Sequence, residues 1–185
     1  GFTDYDVEPG THLWTDEDNP FYDLPEVRVY GVMTIRSGAA LTANEMTFSF
    51  APDAQLVVER GASFECNSCI FTSGCDERWA GIRVEGNTAN TYQGNDPNLA
   101  QNLEQGYIYL HSSTVENATI GIWSGGSDPE YHGGIVQAVH STFSNCVTGV
   151  RLEPYQRRDG QASAQLDNRS RFQGCDFLTT ATWPD

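Results

Sequence analysis

The sequence IRSGAALTANEMTFSF, residues 35–50, is followed by a second version of itself, VERGASFECNSCIFTS, residues 58–73, at an offset of 23 residues. The two versions share the position of a glycine turn, an asparagine and several apolar residues. The matched pairs are Gly38 with Gly61, Ala39 with Ala62, Leu41 with Phe64, Asn44 with Asn67 and Phe48 with Phe71. A unit this short cannot bury an apolar face alone, so it must stack against copies of itself. The stretch therefore predicts a solenoid.

Short apolar runs separated by turn residues indicate that this solenoid is built from strands. From residue 27 the sequence reads VRVYGVMTI, then a Ser-Gly turn, then ALTA and MTFSF. Runs of this length with alternating character favour strands over helices. We predict an all-β parallel β-helix over residues 27–185, with coils of about 22–23 residues. Residues 1–26 are acidic and rich in aromatics without a clean period, and they are predicted to form an irregular N-terminal cap.

The repeat continues more loosely towards the C-terminal end. Residues 113–122 align with residues 141–150, and residues 170–175 begin the pattern again. The alignment predicts a core stack of Phe48, Phe71, Val115, Phe143 and Phe172. It also predicts a column holding Asn44, Asn67 and Asn168. Stacked amides can satisfy one another in such a column, although each asparagine is equally well explained as a turn residue.

The five cysteines are Cys66, Cys69, Cys75, Cys146 and Cys175. An odd number excludes complete internal pairing. The alignment puts Cys146 and Cys175 in one column, where the distance would permit a disulfide. Buried thiols that pack as small apolar residues are the favoured interpretation.

The charge of the chain limits its partners. There are 25 acidic residues against 10 basic residues, all of them arginine, and the net charge is −15. This balance argues against nucleic acid, whose affinity comes largely from cations on phosphates, and against an anionic membrane surface. No apolar run approaches the roughly 20 residues that span a bilayer, so direct membrane insertion is not expected.

Three polar insertions interrupt the repeat after equivalent strands. They cover residues 86–106, 124–134 and 154–161. Equivalent positions in a solenoid lie side by side, so all three loops are predicted to emerge on one face, where repeat proteins usually place their binding loops.

The strand that precedes these loops carries the first set of candidate binding residues. If Ile82 and its equivalents point inward, alternation puts Arg83, Trp123 and Arg151 outward in one column. Glu85 and Glu153 flank that column. The set could form a cation–π stack or a flat platform for a sugar ring.

The loops carry a second set of candidates. Each loop has a tyrosine, namely Tyr92, Tyr131 and Tyr155, which could supply contact area at low entropic cost or simply fold over its own loop. The acidic residues Asp96, Asp128 and Glu130 are candidate Ca²⁺ ligands, although an acidic residue beside proline is also an ordinary turn residue. No other cofactor is indicated.

Several segments together resemble a known group of proteins. They are FAPDAQLVVERGASFECNSCIFTS, then CDERWAGIRVEGN from residue 75, then GYIYL from residue 106 and VENATIGI from residue 115. These segments resemble the right-handed parallel β-helix region of large secreted Bacteroidota proteins, which carry a sorting domain for type IX secretion. The wider superfamily is similar to pectate lyases. The resemblance implies a right-handed coil and a secreted or cell-surface location. It also implies that the chain is truncated at its C-terminal end, where further coils or a neighbouring domain would follow.

Three functions remain open from the sequence. The favoured one is a non-catalytic structural or adhesive scaffold that binds polysaccharide, or a cell-surface or secretion protein, through its loops. The second is a polysaccharide lyase or glycoside hydrolase fragment. It is disfavoured because the chain has no paired Asp residues and no lysine. The third is an assembly subunit that stacks through open β-helix ends.

Overall fold

The computed structural model describes residues 3–21, 26–89, 93, 104–156 and 167–180, and it places eighteen short strands there in three parallel sheets. Sheet I contains, in spatial order, β1 (Tyr5–Val7), β4 (Val32–Ile35), β7 (Gln55–Val58), β10 (Trp79–Val84), β13 (Ala118–Ser124) and β16 (Thr148–Leu152). Sheet II contains β2 (Gly10–Trp14), β5 (Ala39–Asn44), β8 (Ser63–Asn67), β11 (Tyr107–His111), β14 (Ile135–Val139) and β17 (Arg171–Gln173). Sheet III contains β3 (Glu26–Val29), β6 (Thr47–Phe50), β9 (Ile70–Ser73), β12 (Thr114–Glu116), β15 (Thr142–Ser144) and β18 (Asp176–Leu178). Each coil adds one strand to each sheet, so the predicted right-handed parallel β-helix is confirmed.

The register between the first two regular coils is the one the doubled sequence predicts. Phe48 lies opposite Phe71 and Asn44 lies opposite Asn67. The Asn67 Nδ2 donates to Asn44 Oδ1 at 2.9 Å, so these two residues form an amide ladder. The 23-residue offset is therefore the length of a coil without insertions.

Alternation along the strands fills the interior with apolar side chains. Phe48 stacks on Phe71 with ring centroids 5.1 Å apart, and Phe50 stacks on Trp79 at 4.0 Å. All four side chains are fully buried. Stacked aromatic pairs add to the free energy gained by burying their area, so these two pairs stabilise the contacts between successive coils.

The N-terminal segment is more regular than predicted. Its strands β1 and β2 pair in parallel with β4 and β5, although we expected an irregular cap. Trp14 is almost completely buried, and Tyr5 and Phe21 pack edge-on against it. The segment therefore contributes strands to a coil and also covers core side chains with aromatic rings.

The register of the last coil differs from the prediction. Phe143 lies opposite Phe177 and stacks on it at 5.0 Å, whereas Phe172 lies opposite Ala138 in sheet II. The predicted place of Phe172 in the core column is therefore wrong. The predicted asparagine column also ends differently, because Val139 lies opposite Gln173 rather than Asn168.

A shared local motif explains this error. The sequences STFSNC from residue 141 and SRFQGC from residue 170 both form a short strand followed by a residue with a left-handed backbone conformation. Those residues are Asn145, with φ 54°, and Gly174, with φ 61°. The first turns the chain from sheet III to sheet I, and the second turns it from sheet II to sheet III. Cys146 and Cys175 therefore follow different corners and do not share the predicted column.

The cysteines are free thiols, and some of them act as weak hydrogen-bond donors at the corners. Cys69 Sγ donates to the carbonyl of Ala43 in the preceding coil at 3.3 Å. Ser113 Oγ makes the equivalent bond to Cys66 O at 3.2 Å. A serine hydroxyl and a cysteine thiol therefore make the same hydrogen bond between coils at this corner, which accounts for Cys69 there.

Candidate functional site

The three insertions emerge next to one another, as predicted. They follow Val84, Ser124 and Leu152, which lie in one row of sheet I. The amide of Gly86 donates to Tyr131 O at 2.6 Å, and Thr88 N donates to Glu130 O at 3.3 Å. The described parts of neighbouring loops are therefore joined by backbone hydrogen bonds.

The predicted outward column is present in the structure. Arg83 lies opposite Trp123, which lies opposite Arg151. We define the loop face as these three side chains together with the adjacent residues 125–134 and 153–156. Strand alternation directs the three side chains away from the core, while Ile82 and Ile122 are buried between the sheets.

Trp123 is the centre of the best-defined polar network on the loop face. The Arg151 guanidinium lies over its indole ring, 4.8 Å from the centroid. Glu153 Oε1 accepts a hydrogen bond from Trp123 Nε1 at 2.8 Å and forms an ion pair with Arg151 Nε at 2.6 Å. The carboxylate thus holds the guanidinium and the indole together, which fixes the orientation of a partly exposed aromatic ring.

Arg83 does not form the other half of the expected Arg-Trp-Arg stack. The Arg83 guanidinium lies 5.8 Å from the centroid of the Tyr131 ring. The Arg60 guanidinium lies 4.9 Å from the same centroid. Arg60 also forms an ion pair with Glu130 at 3.3 Å. Arg60 was missed because it lies in a short turn without an insertion, although the 23-residue repeat places that turn at the same corner.

Glu85 is buried, whereas a flanking position on the surface was expected. It is only 7% exposed and forms an ion pair with Arg83 Nη2 at 2.7 Å. Burial raises the pKa of Glu85 above its ordinary value, and the charge of Arg83 partly opposes that rise. The Nε of Arg83 is buried without a hydrogen-bond partner among the described residues.

Two of the three candidate Ca²⁺ ligands have other roles. Asp128 Oδ1 accepts from Glu130 N at 3.0 Å and caps the short 3-10 helix Pro129–Tyr131. Glu130 is paired with Arg60, and Asp96 lies outside the described residues. Within the described ranges, no three His, Cys, Asp or Glu side chains are arranged to hold a metal ion.

The tyrosines of the loops differ in their surroundings. Tyr131 lies beneath the two guanidinium groups described above. The ring of Tyr155 packs against Gly133, and its hydroxyl accepts from Gln105 Nε2 at 3.3 Å. Tyr155 therefore contacts both of the preceding loops, through Gly133 and Gln105. Tyr92 lies outside the described residues.

Buried glutamines are a further feature that the sequence pattern did not reveal. Gln93 is 1% exposed; its Nε2 donates to Gly133 O at 3.0 Å, and its Oε1 accepts from Arg169 N at the same distance. Gln105 is completely buried. These two buried side chains hydrogen-bond residues of neighbouring loops, so buried polar contacts hold the described parts of the loops together beneath the loop face.

A scan against protein-family models, a search of curated proteins and a search of solved structures found no match to this chain. The fold defines the protein as a right-handed parallel β-helix. Among the described residues, no helix is long and apolar enough to cross a membrane.

Proposed function

We propose that this chain is a non-catalytic β-helix scaffold that binds carbohydrate through its loop face. The observation that carries the proposal is the fixed group of Trp123, Arg151 and Glu153. A partly exposed aromatic ring with planar polar groups at its edge offers both apolar contact and hydrogen bonds. A sugar ring, which has an apolar face and a rim of hydroxyl groups, matches that combination.

The pairing of the acidic groups argues against an enzyme. Glycoside hydrolases use two carboxyl groups as acid and as base or nucleophile. Here Glu85 is buried against Arg83, and Glu153 is held by Arg151 and Trp123. Both carboxylates have structural partners, which favours binding over catalysis.

The sequence resemblance extends this proposal to location. We infer that the protein is secreted or held at a cell surface, as in the Bacteroidota proteins that its segments resemble. Contact with polysaccharide or with another surface protein would suit an acidic molecule in that environment.

Binding to a panel of neutral and acidic polysaccharides tests the proposal. We expect a polysaccharide in the panel to bind the native chain and to be recovered intact. Trp123→Ala should weaken that binding about tenfold or more, because alanine removes the aromatic surface. Tyr109→Ala, on the outward side of sheet II, is the matched control and should leave the affinity unchanged.

The enzyme alternative makes the opposite prediction for the same panel. Release of unsaturated or reducing ends by the native chain, abolished by Arg151→Ala, would contradict the scaffold and establish a lyase or hydrolase. Equal affinities of the native chain and Trp123→Ala would also contradict the proposed site.

Exposed apolar residues in the last described coil favour a second candidate function, assembly with another copy of the chain. They are Val147, Leu152, Phe177 and Leu178, and each is at least 46% exposed. Among the described residues, strands β16, β17 and β18 are also the outermost strands of their sheets, and such edges can pair with another chain. Light scattering should then show a dimer that Phe177→Glu disrupts and that Ile70→Glu, at an exposed position of the interior strand β9, does not. A monomer at all concentrations would contradict assembly.

A further inference from the structure

A groove of about 250 Å³ lies at a different corner from the loop face. It runs along the outer side of the last residues of sheet III in the first coils, where the chain turns towards sheet I. Strands β3 and β6 supply Arg28 and Ser49, and the turns after β3, β6 and β9 supply Tyr30, Pro52 and Cys75. The groove therefore combines residues from three successive coils.

The inner wall of the groove contains an accessible hydroxyl group. Ser49 is only 7% exposed, and no described residue hydrogen-bonds its side chain. Gly74 lies beside it, and a Cβ at that position would come within 2.8 Å of Ser49 Oγ. The backbone of Gly74 is fixed, because its N–H donates to Phe50 O at 2.8 Å. Glycine at this position keeps the hydroxyl open to the groove.

The rim of the groove carries one charge of each sign and an aromatic ring. Arg28 donates to both oxygens of Glu26, at 3.1 and 3.4 Å. Hydrogen bonding to Glu26, and more weakly to Tyr30, raises the pKa of Arg28. The Tyr30 side chain is 57% exposed. The rim thus offers donors, acceptors and an apolar ring face with no net charge.

We infer that this corner groove is a second ligand site and that it takes a single ring of a neutral saccharide. The volume is below the roughly 300 Å³ at which pockets for drug-sized ligands begin, so the ligand must be small. The carboxylate of Glu26 and the net charge of −15 disfavour an anion. Balanced charges, a free hydroxyl and an exposed tyrosine fit a small polyhydroxyl ring with one apolar face.

This inference is independent of the proposed function, because the two sites share no residue. The loop face lies where sheet I leads to sheet II, whereas the groove lies where sheet III leads to sheet I. Loss of binding at one site should not change binding at the other.

Cys75 provides a built-in reporter for the test. Its side chain is exposed and lines the groove, whereas Cys66 and Cys69 are buried. We would measure the rate at which a thiol reagent labels Cys75, located by peptide mass spectrometry, with and without neutral saccharides such as glucose, galactose and N-acetylglucosamine. Concentrations up to about 50 mM exceed the ~1 mM Kd expected of a small open groove.

At least one neutral saccharide should slow the labelling of Cys75 several-fold. Gly74→Ala should abolish this protection, since the new methyl group would occupy the space beside Ser49. Tyr30→Ala should do the same without changing the backbone, and it serves where the first variant does not fold. Trp123→Ala should leave the protection unchanged.

Two results would overturn the inference. One is that no neutral saccharide slows the labelling of Cys75 in the native chain. The other is that the open-chain polyol sorbitol or the acid galacturonate protects as well as the neutral rings, since a site built for a neutral ring must discriminate against both.

Discussion

Five residues in one column adopt a left-handed backbone conformation where sheet II turns into sheet III. They are Glu45, Ser68, Ser112, His140 and Gly174, with φ between 50° and 61°. The backbone N–H of each of the first four donates at 2.9 Å to the carbonyl oxygen of the last strand residue of sheet II in the next coil. The left-handed conformation thus preserves the hydrogen bonds between coils through the corner. Only one member is glycine, and the others bear the cost of a conformation that side chains disfavour.

Ser112→Gly should therefore stabilise the protein. Relief of the left-handed strain should raise the free energy of unfolding by roughly 0.5–1 kcal/mol. Gly174→Ala is the reverse change, and its new Cβ would also meet the His140 ring, so it should destabilise by at least about 1 kcal/mol. Denaturant unfolding measures both, and the same sign for the two variants would contradict the strained corner.

Glu85 should give the stability a distinctive pH dependence. Its pKa is raised in the folded state by burial, so between its ordinary value and the raised value the native state binds more protons than the unfolded state. The free energy of unfolding contributed by this group therefore falls as pH rises through that window. We expect the stability of the native chain relative to Glu85→Gln to decrease as the pH rises above the ordinary pKa of a glutamate. A difference that increases with pH would contradict the burial of this carboxyl group.

At the scale of elements, the described loop residues form a packed layer whose close contacts depend on glycine. A side chain at Gly86 would collide with the backbone of His132 and Gly133, whereas a Cβ at Gly126 has no neighbour closer than 3.8 Å. Backbone atoms cannot move aside as a flexible side chain can. A side chain should therefore be tolerated at Gly126 but not at Gly86.

Gly86→Ala should accordingly destabilise the protein by about 2 kcal/mol or more. Gly126→Ala should change the stability by less than about 1 kcal/mol, which makes it the control in the neighbouring loop. Thermal unfolding of the two variants is the measurement. Equal melting temperatures would show that the loops are not packed as described.

The contrast between strands and loops also explains what could be predicted from the sequence. Columns such as Phe48 with Phe71 follow directly from a fixed period, and so does the outward position of Trp123. The last coil was misplaced because the same short motif marks two different corners. The pairing of Arg83 with Tyr131 was not predictable, because loop conformations have no period to read.

At the scale of the whole molecule, stability is the sum of contacts between neighbouring coils. Phe71 is buried between coils on both sides, whereas Phe177 is 56% exposed in the outermost described coil. Phe71→Ala should cost about 3–5 kcal/mol of unfolding free energy. Phe177→Ala should cost less than about 1.5 kcal/mol, as it removes fewer contacts. Denaturant unfolding would contradict this account if the two variants were equally destabilised.

We propose that the loop face binds carbohydrate without cleaving it, and the indole N–H resonances of the tryptophans can test that proposal. The Trp123 indole lies on the loop face and donates to Glu153, whereas the Trp79 indole belongs to a fully buried side chain and donates to Glu116 O at 2.9 Å. We would titrate protein labelled with nitrogen-15 with the polysaccharide that binds best, and record both indole resonances by NMR spectroscopy. We expect that the Trp123 resonance shifts as binding approaches saturation, that the Trp79 resonance stays in place and that the polysaccharide is recovered intact. An unchanged Trp123 resonance at saturation, or cleavage of the polysaccharide, would contradict the proposal.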